Sequence, residues 1–227
     1  TINTMPEAER YIKDYVKFNL PIPEGITQCG KDLIEGVGCM IERNDLYLEG
    51  YDYPLPDDFT MEEGCLYVGD YDYLLPENFT KKHGAMFLEG YEHPLPEGFR
   101  IGEGTLFLKG YNHSLQEGFT MDTGILNLYG YDYTLPDDFT MEEGVLLLEG
   151  YSHPLPEGFT QVGGLLVLCN YGHPLPEGLH FGGNLDLGGY DHPLPEDIQV
   201  EGEIYGLRNY NHELPESLQQ KVEEEQI

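Results

Sequence analysis

YSHPLPEGFTQVGGLLVLCN, from Tyr151 to Asn170, decides the fold, because the same line is rewritten on either side of it. Its first residue recurs at Tyr51, Tyr71, Tyr91, Tyr111, Tyr131, Tyr151, Tyr171, Tyr190 and Tyr210, a period of 20 broken by one step of 19. YDYPLPDDFTMEEG from Tyr51 and YDYTLPDDFTMEEG from Tyr131 differ only at Pro54 against Thr134, the mark of a duplicated block of four repeats. A degenerate copy, FNLPIPEGIT, begins at Phe18, and a shortened turn separates Leu33 from Leu46. A period of this length means stacked supersecondary units rather than one irregular domain.

Each unit carries its own punctuation. Leu166 and Leu168 flank one residue, as do Leu46/Leu48, Leu66/Val68, Met86/Leu88, Leu106/Leu108, Leu126/Leu128, Leu146/Leu148 and Leu185/Leu187. That alternation predicts one short strand per copy with one face buried. Tyr and a proline-containing extended segment follow. Then comes an acid, followed by Asp58, Asn78, Gly98, Gly118, Asp138, Gly158, Gly178, Asp197 or Ser217, residue types that favour turns. The next apolar residue, Phe59 to Phe159 and then Leu179 and Ile198, is expected to point back into the core.

A unit with one strand cannot bury its apolar face alone. Stacking the copies gives a parallel solenoid, mainly β, whose strands lie about 4.8 Å apart and whose nine coils make a rod of roughly 40 Å. The expected organisation is a single domain: a helical N-terminal cap over 1–17, the repeat solenoid over 18–216 and a short helical C-terminal cap over 217–227. Thr4 and Glu7 have the spacing of a capping box, with Tyr11, Ile12 and Val16 as an apolar face; Leu218 and Val222 stand four apart at the other end.

The unit resembles the short forms of the leucine-rich-repeat superfamily. FNLPI at Phe18 to Ile22 is similar to the FNIP-type repeat, with YNH at Tyr111 and Tyr210 as partial matches. LPEGLHFGGNLDLGG, Leu175 to Gly189, is similar to bacterial repeats built on LPEGL. The resemblance covers nearly everything from Phe18 to Glu216, and it implies a parallel sheet on a concave side and protein–protein recognition. The Asn that ties the corners of ordinary leucine-rich repeats is absent from most copies, so these corners must be held in another way.

Composition narrows the partners. Among 227 residues, 11 Lys and Arg face 42 Asp and Glu, a formal charge of −31. Direct binding to nucleic acid or to an anionic membrane is therefore disfavoured, and a partner with a basic surface is favoured. With 40% hydrophobic and 12% aromatic residues the chain is too apolar to stay disordered. Cys29, Cys39, Cys65 and Cys169 show no CxxC spacing, no run reaches the ~18 apolar residues of a membrane span, and TINTMPEAERYIKD lacks a signal-peptide layout. A soluble cytoplasmic protein, of the producing cell or of an infected host, is the expectation.

Repetition turns each position of the unit into a column. The residue after the second proline is acidic in every copy: Asp57, Glu77, Glu97, Glu117, Asp137, Glu157, Glu177, Glu196 and Glu216. As a good turn residue on a solvated edge, the acid needs no further role. Alternatively the column is a stripe that docks on a basic surface, or a set of carboxylates bridged by calcium. The stripe gains from the stretch Gly110 to Leu207, which holds 16 acids and no Lys or Arg, and from Asp52, Asp72, Glu92, Asp132 and Asp191, five residues before column members. A second column alternates Tyr53, Tyr73, His93, His113, Tyr133, His153, His173, His192 and His212. Tyrosine interrupts it, so corner filling is favoured over metal binding, and no metal or other cofactor is expected. A third column, Tyr47, Tyr67, Phe87, Phe107, Asn127, Leu147, Val167 and Asp186, is the outward strand face, and it is too apolar for open water.

No GxSxG, P-loop, HExxH or EF-hand pattern occurs, and every candidate acid or histidine belongs to a repeated column, so no enzyme activity is expected. The sequence supports a non-catalytic binding protein whose acidic face occludes a nucleic-acid-binding surface of another protein. It would then be a nucleic-acid mimic of the kind found among phage anti-restriction and anti-CRISPR inhibitors. The alternative is a leucine-rich-repeat adaptor or host-directed effector that binds a protein through the sheet face Tyr47, Tyr67, Phe87, Phe107, Leu147 and Val167; that face also suits a homodimer. A structural role, such as a virion or surface component, is a third reading.

Overall fold

A computed structural model describes residues 45–48, 51, 53–121 and 123–224. The expected N-terminal helix, the FNLPI copy and the turn before Leu46 lie outside them. The repeated Leu-x-Leu motif forms strands Leu46–Tyr47, Leu66–Tyr67, Thr80–Phe87, Arg100–Phe107, Ile125–Asn127, Val145–Leu147, Leu165–Val167, Asn184–Asp186 and Ile204–Tyr205, which pair in chain order in one sheet. All pairs are parallel, and like pairs with like: Leu106 with Leu126, Leu126 with Leu146, Leu146 with Leu166, Leu166 with Leu185. The molecule is a parallel β-solenoid of about twenty residues per turn.

One strand per copy falls short of what is found. Thr120–Met121, Thr140–Met141, Thr160–Gln161, His180–Phe181 and Gln199–Val200 form a second parallel sheet, and Thr60–Met61 pairs with the start of Thr80–Phe87. Two residues are too few to show a period of two in the sequence. Stacking nevertheless supplies each with a backbone partner one coil away. In the long strands Thr80–Phe87 and Arg100–Phe107 the two ladders run together.

The core is a set of columns. In the coil that starts at Tyr131, the side chains of Tyr131, Leu135, Phe139, Met141, Leu146 and Leu148 are all buried, and their counterparts lie above and below them. Phe79, Phe99, Phe119, Phe139 and Phe159 follow one another along the core, with adjacent rings 5.9 to 6.1 Å apart where they pair as stacks. Burial of this apolar surface drives the coiling. The otherwise apolar column of Met61, Ile101, Met121, Met141, Phe181 and Val200 carries two polar members eighty residues apart, Lys81 and Gln161, both about 1% exposed. Each side-chain nitrogen donates to the same two carbonyls of its coil stack, Gly64 and His83 for Lys81, Gly144 and Gly163 for Gln161. Desolvation lowers the Lys81 pKa below the usual lysine value.

Two tight turns close each coil. After the strand, the Tyr N–H bonds back to the last Leu of the strand segment, as from Tyr131 to Leu128 at 3.0 Å. The residue before the Tyr takes positive φ, which explains Gly90, Gly110, Gly130, Gly150 and Gly189 and the use of Asp70 and Asn170 there. The second turn runs Pro-acid-x-Phe, with Phe139 N donating to Pro136 O at 3.0 Å. Its third residue adopts positive φ only at Gly98, Gly118 and Gly178; the Asp and Asn copies and Gly158 make the turn at negative φ. Between the two sheets the coils touch. A Cβ on Gly124 would sit 2.3 Å from the Gly104 carbonyl oxygen, and one on Gly164 would sit 1.9 Å from that of Gly144.

The pair of helical caps is not what the described residues show. They hold a single α-helix, α1 (Glu216–Glu224), with Leu218 buried, Ser217 Oγ donating to Ile198 O at 3.1 Å and Lys221 Nζ to Val200 O at 2.9 Å.

Candidate protein-interaction surfaces

The tyrosine that starts each unit answers how the corners are held. The Tyr131 ring is buried, and its hydroxyl reaches the coil before it: it accepts from Leu115 N at 2.9 Å and donates to His113 O at 3.0 Å. Tyr71, Tyr91, Tyr111, Tyr151, Tyr171, Tyr190 and Tyr210 make the same two bonds, to the residues sixteen and eighteen earlier, or fifteen and seventeen where the unit is short. Successive rings stack 6.3 to 6.5 Å apart. Burial makes ionisation costly, pushing the Tyr91 and Tyr151 phenols up to about 12; the Leu N–H bond pulls the other way with less effect. A tyrosine ladder thus ties the corner of each coil to the coil before it.

The His/Tyr column is part of the same corner. His93, His113, His153 and His173 each hold Nε2 2.6 to 2.9 Å from the carbonyl of the residue twenty-one earlier, so Nε2 carries the proton and donates. Their rings lie 5.6 to 5.7 Å from the ladder tyrosine two residues before. Tyr53, Tyr73 and Tyr133 take the same ring contact at 5.7 to 5.8 Å, which is why either residue type serves. Among the described residues, no group of three or more His, Cys, Asp and Glu is placed to hold a metal ion.

The acidic column is brought to one edge. Asp57, Glu77, Glu97, Glu117, Asp137, Glu157, Glu177, Glu196 and Glu216 are all exposed. All but Glu216, which opens α1, occupy the second position of the Pro-acid-x-Phe turn. Neighbours border common hollows, Asp57 with Glu77 in one and Glu117 with Asp137 in another. The carboxylates one residue further on are used differently: Asp138 accepts from Gly118 N at 2.9 Å and Asp197 from Gly178 N at 3.0 Å, tying one turn to the next. Asp72, Glu92, Asp132 and Asp191 are exposed as well.

The sheet face is half-buried. Tyr67, Phe87 and Phe107 stack with centroids 4.6 Å apart and planes within 4° of parallel, and Asn127, Leu147 and Val167 continue the line; Tyr47 joins it through backbone pairing with Tyr67. The sequence reading missed Tyr129, 52% exposed beside this line, and with it Lys109 and Glu149. These three share a hollow of about 310 Å³ with Phe107, Asn127, Leu147 and Val167. The signal was available in the residue before each turn glycine, two positions after the Phe column.

The chain matches no protein-family model, no curated protein and no solved structure. Among the described residues, no helix is long and apolar enough to cross a membrane.

Proposed function

We propose that the protein is a non-catalytic binding module whose acidic edge docks on the basic, nucleic-acid-binding surface of another protein and occludes it. The observation that carries this reading is a column of nine exposed carboxylates, none of which makes a hydrogen bond or ion pair within the described residues. Turn geometry accounts for a polar residue there, but not for an acid in every copy, since the second position of such a turn accepts most residues. Like charges stacked one coil apart repel, so their retention points to a use outside the chain. A rigid row of charges about 4.8 Å apart resembles a phosphate backbone in sign and approximate spacing.

The test compares two sets of substitutions against a panel of nucleases and DNA- and RNA-binding proteins. Glu157→Gln, Glu177→Gln and Glu196→Gln together are expected to abolish capture, while Phe87→Ser with Phe107→Ser costs less. The reverse order would overturn the reading and favour recognition through the sheet face.

A further inference from the structure

The sheet face carries two neighbouring columns that step in size in opposite senses. Cys65, Ala85 and Thr105 are smaller than Ile125, Val145 and Leu165, which continue their column, while Tyr67, Phe87 and Phe107 are bulkier than Asn127, Leu147 and Val167, which continue theirs. Strand register keeps both columns straight, with Ala85 on Thr105, Thr105 on Ile125, Ile125 on Val145 and Val145 on Leu165. All twelve side chains are half-buried. Beside them a third column holds Glu89, Lys109, Tyr129 and Glu149 in successive coils, with Lys109 Nζ 3.1 Å from Glu89 Oε1.

Such a surface is complementary to itself under one operation. A twofold axis lying in the face along the strand Ile125–Asn127 keeps every column over itself and reverses the order of the rows. Phe107 then meets Leu147 of the second copy, Phe87 meets Val167 and Ala85 meets Leu165, a bulky side chain over a smaller one in each case, while the near-isosteric Thr105 and Val145 meet each other. Lys109 faces Glu149 of the second copy, twice by symmetry, and Tyr129 lies near the axis. An axis along the rod does neither: it sets Phe87 on Phe87 and Lys109 over Thr105. Facing sheets pack about 10 Å apart at a tilt near 30°, so the match holds best in the rows next to the axis, where the charges are.

We propose that a second copy of this chain docks on the sheet face in this antiparallel, twofold arrangement. Six rows about 4.8 Å apart by three columns about 7 Å apart give about 600 Å² per copy, roughly 1,200 Å² in all, the low end of specific interfaces. The dimer uses none of the acidic turn column, so it stands or falls separately from the edge reading. The two also differ in salt response. Self-association of chains carrying −31 each is favoured by screening, whereas docking of the edge on a basic surface is weakened by it.

Sedimentation equilibrium on the full chain tests the dimer, with Lys109→Glu and Glu149→Lys as separate variants. Both side chains are at the surface, and circular dichroism melts check that each variant stays folded. The wild type is expected to dimerise and either reversal to weaken dimerisation about tenfold or more, since two symmetric contacts change from attraction to repulsion. An equal mixture of the two variants is expected to recover wild-type affinity as a heterodimer, because each copy supplies the charge that the other lacks. A wild type that stays monomeric at every accessible concentration, a dimer indifferent to both reversals, or a mixture no tighter than its components would overturn the proposal.

Discussion

Replacing Tyr131 by Phe removes a single oxygen from the middle of the solenoid, and the structure sets the cost. The ring stays stacked between Tyr111 and Tyr151, at 6.5 and 6.4 Å, so no cavity opens. The Leu115 N–H, buried, loses its acceptor, and the His113 carbonyl loses a donor. An unsatisfied buried N–H costs about 1–3 kcal/mol, and the second bond contributes about 0.5–1.5 kcal/mol, so the substitution is expected to destabilise by about 2–4 kcal/mol. For a chain of this size each kcal/mol moves Tm by about 2–4 °C, which places the shift near 5–15 °C. Tyr210→Phe supplies the internal comparison. Its hydroxyl makes the same bonds to Leu194 N and His192 O where they are only part-buried, so water can replace it and the loss is expected to be smaller. Urea unfolding followed by circular dichroism reads both. A change under about 0.5 kcal/mol at Tyr131, below the range for even one net hydrogen bond, or an equal loss at the two positions, would refute the ladder as the corner clamp.

Alkaline pH tests the same ladder without mutation. A phenol with a normal value near 10 in the unfolded chain and about 12 at Tyr91 or Tyr151 in the fold loses protons first from the unfolded state. Its contribution to stability is therefore complete below pH 10 and lost as pH rises from 10 to about 12. Ultraviolet absorbance is expected to show the ladder phenols titrating only in a cooperative step that coincides with unfolding; their titration near pH 10 in the folded protein would contradict this. Gly124→Ala, whose Cβ would meet the Gly104 carbonyl at 2.3 Å at φ +87°, is expected to destabilise by about 3 kcal/mol or more, measured by thermal melting, and a neutral effect would show that the coils are not in contact there. Neutralising Glu157, Glu177 and Glu196 to Gln removes repulsion between each and its column neighbours. It is expected to stabilise the fold by about 1 kcal/mol in low salt and by less in high salt, so destabilisation would mean that these carboxylates have internal partners.

The columns were legible in the sequence because each depends on one position of the unit. Alternating Leu166 and Leu168 named the strand, and Phe159 after the Pro-Glu-Gly turn named an inward residue. The second sheet was not legible: Thr140–Met141 has no pattern of its own, and its partner becomes visible only once the coil length places Thr160–Gln161 beside it. The corner clamp escaped for the same reason. That an Asn ladder was missing could be seen, but the substitute spans sixteen to eighteen residues between Tyr151 and the Leu135 and Tyr133 backbone, a distance set by the shape of the coil. How the histidines hold the corner was not legible either, because the bond from His153 Nε2 to the Asp132 carbonyl, 2.8 Å, spans twenty-one residues. The acidic column was read in full, because a turn position exposes its side chain whatever the coil shape. The opposed size steps on the sheet face were written in Ala85 against Leu165 and Phe87 against Val167, but they mean nothing until register sets the two columns side by side.

The claim that the acidic edge occupies nucleic-acid-binding surfaces is met most directly by displacement. Labelled duplex DNA is bound to each member of a panel of nucleases and DNA-binding proteins, the solenoid is titrated in, and DNA release is followed by fluorescence anisotropy across about 50–200 mM salt, a range in which such contacts weaken steeply. The account predicts release from at least one member at low salt, with a potency that falls as salt rises and is lost in the Glu157→Gln, Glu177→Gln, Glu196→Gln variant. No release from any member, or release that neither salt nor neutralisation changes, would contradict it.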